Sequence, residues 1–257
     1  MRIELENEKK TEDDAARQPV IPQPAMKFSE MPGRKKAEYI WDYYKWWFIG
    51  GIIAVIVAVT FIRDYRENSK PEYLYVEMLN TYFGYDNSYT LYDDYVQAAG
   101  IDLSKEQLTI DTGMTLSTES YDTTMIAYQQ RLVAGYAAQN IDVVIAPKNI
   151  IEGPANWDNY ADFEKIIPKD LLEELAERDY ELYYYDPSNN ETEDDEGEKR
   201  TPYCAGVYLD NCSYLNNMGV SGAYPVAETE DDRPVLTITS NSLRTDHAVE
   251  FLRFLIQ

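Results

Sequence analysis

An uncharged apolar run of 17 residues, Trp46 to Ile62, constrains this chain more than any other feature. Such a run is a cleaved signal, a buried core helix or a permanent membrane anchor. At 1.5 Å per residue it extends only about 25 Å, short of a hydrocarbon core of ~30 Å. Its flanks supply the rest. Tyr39, Trp41, Tyr43, Tyr44, Trp46 and Trp47 make an aromatic collar, and Lys45 can extend its ammonium to the interface. Arg63, Tyr65 and Arg66 anchor the other end. A soluble core helix has no need of aromatics and bases at both ends. A signal peptide starts with a short basic segment and ends at a small-x-small site. Here a long polar lead precedes the run, and Ala58-Val59-Thr60 is a poor cleavage match. The expectation is one uncleaved span. Lys27, Arg34, Lys35, Lys36 and Lys45 before it outnumber Arg63, Arg66 and Lys70 after it, which favours a cytoplasmic N terminus and an extracellular C-terminal domain.

Charge divides at the same place. Residues 1–62 balance nine Lys/Arg against nine Asp/Glu, so the whole formal charge of -23 falls in 63–257. An acidic body repels nucleic acid and anionic headgroups, so no nucleic-acid partner is expected. Residues 1–36 carry mixed charge and the Pro-rich "RQPVIPQPAMKFSEMPG", and read as a disordered tail. Residues 37–66 are the juxtamembrane segment and span, and 67–257 an extracytoplasmic domain. Within the span, Gly50, Ala54 and Ala58 recur every fourth residue. That spacing would let two helices approach in a homodimer, although such residues are also common in single spans.

The body alternates in type. "EYLYVEMLN" (72–80) reads as a strand, and "NSYTLYDDYVQAAG" (87–100) as a helix with a Ser cap and a Gly stop. A strand over 106–117, a helix over 120–140 and "IDVVIAP" (141–147) follow. The last is a nearly continuous apolar run, as in a strand buried on both faces. Two helices, over 156–167 and from Pro168, lead to the strand "YELYYYDP". The acidic stretch 188–200 reads as an exposed loop, "TPYCAGVYLDN" and "RPVLTITSN" as strands, and "SLRTDHAVEFLRFLIQ" as a closing amphipathic helix. This order argues an α/β domain with parallel pairings.

Three segments resemble extracellular solute-binding proteins of bacterial uptake systems. "YQQRLVAGYAAQNIDVVIAP" (128–147) resembles their helix-to-buried-strand stretch, with Leu132, Ala134, Gly135 and Asp142-Val143-Val144 in the matching places. "NYADFEKIIPKDLLEEL" (159–175) resembles the helices that follow, and "ITSNSLRTDHAVEFLRFLI" (238–256) the closing segment. With "YIWDYYKWW" before a single span, the layout also resembles single-pass membrane proteins of clostridial Gram-positive bacteria. The resemblance implies a periplasmic-binding-protein-like sheet with flanking helices. It departs where a second lobe would enter, because only 35 residues separate Pro168 from Cys204. A single lobe is expected, and half a cleft encloses less ligand than a full one.

No catalytic set accompanies this layout. The one histidine, His247, lies in the last helix, and "GVSGA" (219–223) lacks the final Gly of a nucleophile elbow. HExxH, P-loop and GxGxxG motifs are absent, and no cofactor or metal site is expected. The run Glu191–Glu198 lacks the spacing of a calcium loop and reads as solvated. Cys204 and Cys212 either close a small loop or remain free thiols. Ligands of open α/β sheets sit beyond the carboxyl ends of the strands. That rule nominates Asn80, Thr81 and Tyr82, then Ser117, Thr118 and Ser120, then Lys148 and Asn149, with Trp157 at the rim. Three functions follow: an interaction module for a protein or envelope partner, a tethered small-molecule sensor or capture protein, and, weakest, a carboxylate hydrolase.

Overall fold

A computed structural model of the chain describes residue 29 and residues 32–83, 85–117, 122–153, 159–190, 201–218 and 223–257. Most of the tail, Thr118, Ser120, Trp157 and the acidic run 191–198 lie outside the described residues. The chain divides into two compact units, Met1–Asn68 and Ser69–Gln257.

The long helix described in the first unit is α1 (Gly33–Asn68). Its segment Tyr44–Arg66 is 23 residues long and none of it is buried within the protein. At about 34 Å it is long enough to cross a membrane by length and composition. The helix therefore continues past the uncharged run on both sides. Trp47 is 80% exposed. Thr60 donates its hydroxyl to Val57 O at 2.9 Å and to Ile56 O at 3.1 Å, which satisfies the one hydroxyl inside the run.

The second unit opens with β1 (Glu72–Met78), followed by α2 (Tyr85–Ala99), β2 (Gln107–Asp111), α3 (Thr123–Ala137) and β3 (Val143–Pro147). Then come the one-turn helices α4 (Lys148–Ile151) and α5 (Phe163–Ile166), and the longer α6 (Lys169–Glu177). β4 (Leu182–Tyr185), β5 (Tyr203–Tyr208), the one-turn α7 (Ser213–Asn216), β6 (Pro234–Ile238) and α8 (Thr245–Ile256) complete it. Local chemistry explains several boundaries. Asp122 caps α3 by accepting from Met125 N at 2.8 Å. Gly100, at φ 66°, ends α2 in the left-handed region. α2 starts at Tyr85, ahead of the Ser cap, and β2 stops at Asp111 rather than running to 117.

The sheet order is β2-β1-β3-β6-β5-β4. β2, β1 and β3 are parallel, joined by the crossover helices α2 and α3. The remaining pairings are antiparallel, so the expected parallel sheet holds for one half only. In that other half, among the described residues, only one-turn helices lie between β4 and β5 and between β5 and β6, as antiparallel neighbours require no crossover helix.

Both faces are covered. Leu74, Val76, Met78, Ile145 and Leu236 pack with Tyr95 of α2, Leu171 of α6 and Phe251 and Leu252 of α8. Leu79, Val144, Ala146 and Val235 face the other way, against Leu132 and Tyr136 of α3. Tyrosines extend this second layer: Tyr160–Tyr185 and Tyr183–Tyr208 meet edge to face at 5.5 and 5.7 Å. Many of the tyrosines thus serve as core.

Two positions tie the layers tightly. Asp142, fully buried at the start of β3, accepts from Tyr75 N (2.8 Å), Ser242 Oγ (2.7 Å) and Arg244 Nε (2.7 Å). Gly206 sits in β5 where a Cβ would lie 2.2 Å from Leu236 O of the neighbouring strand. That obstacle is backbone held in a ladder and cannot yield. Gly206→Ala is expected to cost about 3 kcal/mol in chemical denaturation, and a change below about 0.5 kcal/mol would show that the strands part easily there.

Candidate functional site

The carboxyl ends of β1, β2 and β3 share one edge of the sheet with the amino end of β6. β1 leaves that edge through Asn80, whose φ is 57°. Asparagine tolerates this conformation because its short side chain bonds locally. Here Nδ2 donates to Leu116 O at 2.9 Å while Oδ1 accepts from Leu116 N at 2.7 Å, holding the segment after β2. Thr81 Oγ1 donates to Thr112 O at 3.3 Å. Tyr82 N donates to Ala223 O at 2.8 Å, which fixes the backbone and leaves the ring 64% exposed. β3 passes directly into α4, so Lys148 and Asn149 stand at its exit.

A cavity of about 260 Å³ opens at this edge. Asn80, Tyr82, Pro147 and Asn149 line one side, and Pro225, Val226, Glu228 and Asp232 the other. Val226 is 91% exposed. Asn149 Oδ1 is buried and has no hydrogen-bond partner among the described residues. Beside the cavity, Arg233 stacks on Tyr208 at 3.7 Å and bonds Asp210 (2.8 Å), Glu181 (2.9 Å) and Glu230 (3.0 Å). Lys148 pairs with Asp231 at 3.7 Å.

Of the nominated residues, the fold brings Asn80, Tyr82 and Asn149 to one cavity. Lys148 turns to Asp231, Thr81 bonds backbone, and Ser117 N donates to Met125 Sδ at 3.1 Å near the start of α3. Thr118, Ser120 and Trp157 lie outside the described residues. Pro225, Val226, Glu228 and Asp232 were not nominated. They precede an antiparallel strand, and the rule applied to the sequence considers only strands that end at the edge.

Just below this edge lies Glu77 of β1, fully buried, with neither carboxylate oxygen hydrogen-bonded among the described residues. Asp111 is its register partner on β2. Arg131 of α3 pairs with Asp111 and donates to Tyr75 Oη at 3.0 Å, and so engages the other carboxylate. Burial, then the Asp111 charge, push the Glu77 carboxyl up to about 8, against the opposing pull of Arg131.

A larger cavity, about 500 Å³, lies against β4 and β5 beside α5. Several of its polar groups are engaged within the protein. Asp162 pairs with Lys165 at 2.8 Å, Tyr184 Oη donates to Glu164 at 3.2 Å, and Tyr203 Oη donates to Tyr160 O at 3.2 Å.

Cys204 and Cys212 are both buried and free, so no loop is closed between them. Burial pushes the Cys204 thiol up to about 11, away from thiolate chemistry. His247 donates from Nδ1 to Tyr73 O at 2.7 Å and stacks on the Tyr73 ring at 3.8 Å, a packing role. Among the described residues no three His, Cys, Asp or Glu are placed to hold a metal ion. Comparison with known proteins finds no matching family model, no matching curated protein and no matching solved structure.

Proposed function

We propose that this chain is a membrane-anchored extracytoplasmic interaction module, a single solute-binding-like lobe that engages a protein partner through the carboxyl edge of its sheet. The observation that carries this reading is the shape of that edge. A cavity of about 260 Å³ falls below the 300–1,000 Å³ of pockets that enclose small molecules. Its rim presents the exposed Tyr82 and Val226 side chains. Tyrosine is enriched at protein interfaces, where its ring contributes contact area. Photoreactive residues at Tyr82 and at Val226, in intact cells, are expected to give adducts of one common mass. The same residue at Val133, exposed on α3, should give none. Adducts from all three sites, or from Val133 alone, overturn the reading.

A tethered small-molecule sensor is the second reading, favoured by the polar residues Asn80, Asn149, Glu228 and Asp232 in the cavity lining. A thermal-shift screen of the full chain against amino acids, peptides and sugars separates the two. A robust shift with a free amino acid or sugar would favour the sensor.

Orientation follows from the basic residues flanking the span. Protease added outside intact cells should digest the acidic body after α1 and leave residues 1–40 protected. Loss of the tail with survival of the body would reverse the topology.

A further inference from the structure

We infer that Glu77, Asp111 and Arg131 form a proton-operated latch beneath the carboxyl edge: protonated Glu77 keeps the edge in its partner-binding form, and ionised Glu77 releases it. This rests on the interaction reading above and assigns the regulation of that site. The first support is the setting of Glu77. It is fully buried, and neither carboxylate oxygen has a hydrogen-bond partner among the described residues. Its register partner on β2 is Asp111, so two carboxyl groups stand side by side on one face of the sheet. Arg131 of α3 is the cation that acts on them, and it is committed to Asp111 and to Tyr75 Oη. A charge without donors or solvent is costly there, so the group holds a proton instead. Burial, then the Asp111 charge, favour that proton, and Arg131 opposes them. The hydroxyls of Tyr75 on β1, Tyr136 on α3 and Tyr224 before β6 also lie within range of its charge.

The second support is what Asp111 holds. While Oδ2 pairs with Arg131, Oδ1 accepts from Gly113 N at 2.8 Å and so shapes the exit from β2. The segment that follows is bonded to the first residues of the edge. Thr112 O accepts from Thr81 Oγ1 at 3.3 Å and Met114 O from Asn80 N at 3.1 Å. Leu116 N and O bond the Asn80 side chain at 2.7 and 2.9 Å. Asn80 lines the cavity. A continuous set of contacts therefore runs from the Glu77–Asp111 pair to the edge that meets the partner. Ionised Glu77 needs a donor, and Arg131 is the cation within reach of its charge. Sharing the guanidinium weakens its hold on Asp111, and repulsion between two carboxylates pushes Asp111 away from its turn. The Arg131 side chain is half exposed, so it can shift without unpacking the core. The loss falls on Gly113 N and then on the ties to Asn80.

The test follows the Asn80 side-chain amide and the Leu116 methyls by NMR, in the full chain in nanodiscs, from about pH 6 to about pH 9.5. Both signals are expected to shift together with one midpoint at about 8. Glu77→Gln should keep the low-pH signals throughout. Asp111→Asn should lower the midpoint and Arg131→Gln should raise it, each by about one pH unit, opposite shifts that partial unfolding cannot imitate. The consequence for the partner is read in intact cells, from the adduct formed at Tyr82. Its yield should fall about tenfold between about pH 7 and about pH 9, because one unit above its midpoint a group is about one-tenth protonated. Glu77→Gln should hold that yield constant. Separate or absent midpoints at Asn80 and Leu116, the same titration in Glu77→Gln, or midpoints that move the same way in the Asp111 and Arg131 variants overturn the inference. A flat adduct yield while the edge titrates overturns it too, and leaves the interaction reading standing without its regulation. Adducts absent at every pH, with the edge titrating as described, refute the interaction reading and leave the latch in place.

Discussion

Replacing Asp142 with alanine is expected to destabilise the α/β domain by about 3 kcal/mol, roughly 6–12 °C in thermal midpoint for a domain of this size. The reason is the number of elements that meet at one buried carboxylate. Oδ2 accepts from Tyr75 N of β1 and from Arg244 Nε, while Oδ1 accepts from Ser242 Oγ. Arg244 in turn donates to Asn140 O at 2.9 Å and Gln139 O at 3.3 Å, just beyond the end of α3. One side chain therefore ties β1, β3, the end of α3 and the approach to α8. Removing it leaves an amide, a hydroxyl and a guanidinium without their acceptor, and each loss carries the desolvation cost of the orphaned group. Arg244→Ala should cost less, because Asp142 keeps two donors. The double variant should cost less than the sum of the two singles, since both remove one network. Equilibrium denaturation of the three variants measures this coupling. Additive losses, or a loss below about 1 kcal/mol for Asp142→Ala, would show that the network is not structural.

How far such features can be read from sequence depends on what periodicity encodes. Val143–Pro147 was legible as a doubly buried strand because an unbroken apolar run leaves no polar face to solvate. Gly100 was legible as a helix stop, and the closing helix α8 by its apolar spacing. Strand direction was not legible. "TPYCAGVYLDN" and "RPVLTITSN" alternate identically whichever way they run, so the antiparallel half of the sheet left no mark in the pattern. The same blindness halved the candidate site. Asn80 and Asn149 follow strands that end at the cavity edge, whereas Glu228 and Asp232 precede one that begins there. Glu77 was hidden for a related reason. In "EYLYVEMLN" the alternation sends Leu74, Val76 and Met78 to one face and Tyr75 and Glu77 to the other, which reads as an apolar face and a wet one. The wet face is in fact covered by α3, and Glu77 lies beneath it.

That burial makes Glu77 the source of the second large effect. Its carboxyl titrates at about 8 in the folded chain against an ordinary 4.5, so between those values the native state holds a proton that the unfolded state has released. Stability then falls as pH rises from about 4.5 to about 8, and the penalty is complete above that window. A displacement of this size corresponds to a penalty on the order of 5 kcal/mol. Burial sets the sign, and the charged groups that face the carboxyl adjust its size. Asp111 on β2 disfavours a second negative charge, and Arg131 on α3, already paired with Asp111, offsets it only in part. Burial first, and then its charge, raise the titration of Tyr75 beside it, Tyr136 of α3 and Tyr224 before β6. Other carboxylates run the opposite way; hydrogen bonds from Lys105 and Ser104 hold Asp102 down to about 2. The clean observable is therefore a difference between two proteins. Glu77→Gln keeps the shape of the protonated side chain and cannot ionise, so it should match the parent near pH 5. It should grow more stable than the parent through pH 8, by several kcal/mol in denaturant midpoints. Parallel curves across that range would mean that Glu77 finds a partner or water on ionising. A gap that opens toward acid would mean that its charge is stabilising. Because β1 runs from Glu77 directly to Asn80, the strain of ionisation falls first on the edge that carries the cavity, and Val226 and Asn149 signals followed over the same pH range should lose order before the core around Phe251 does.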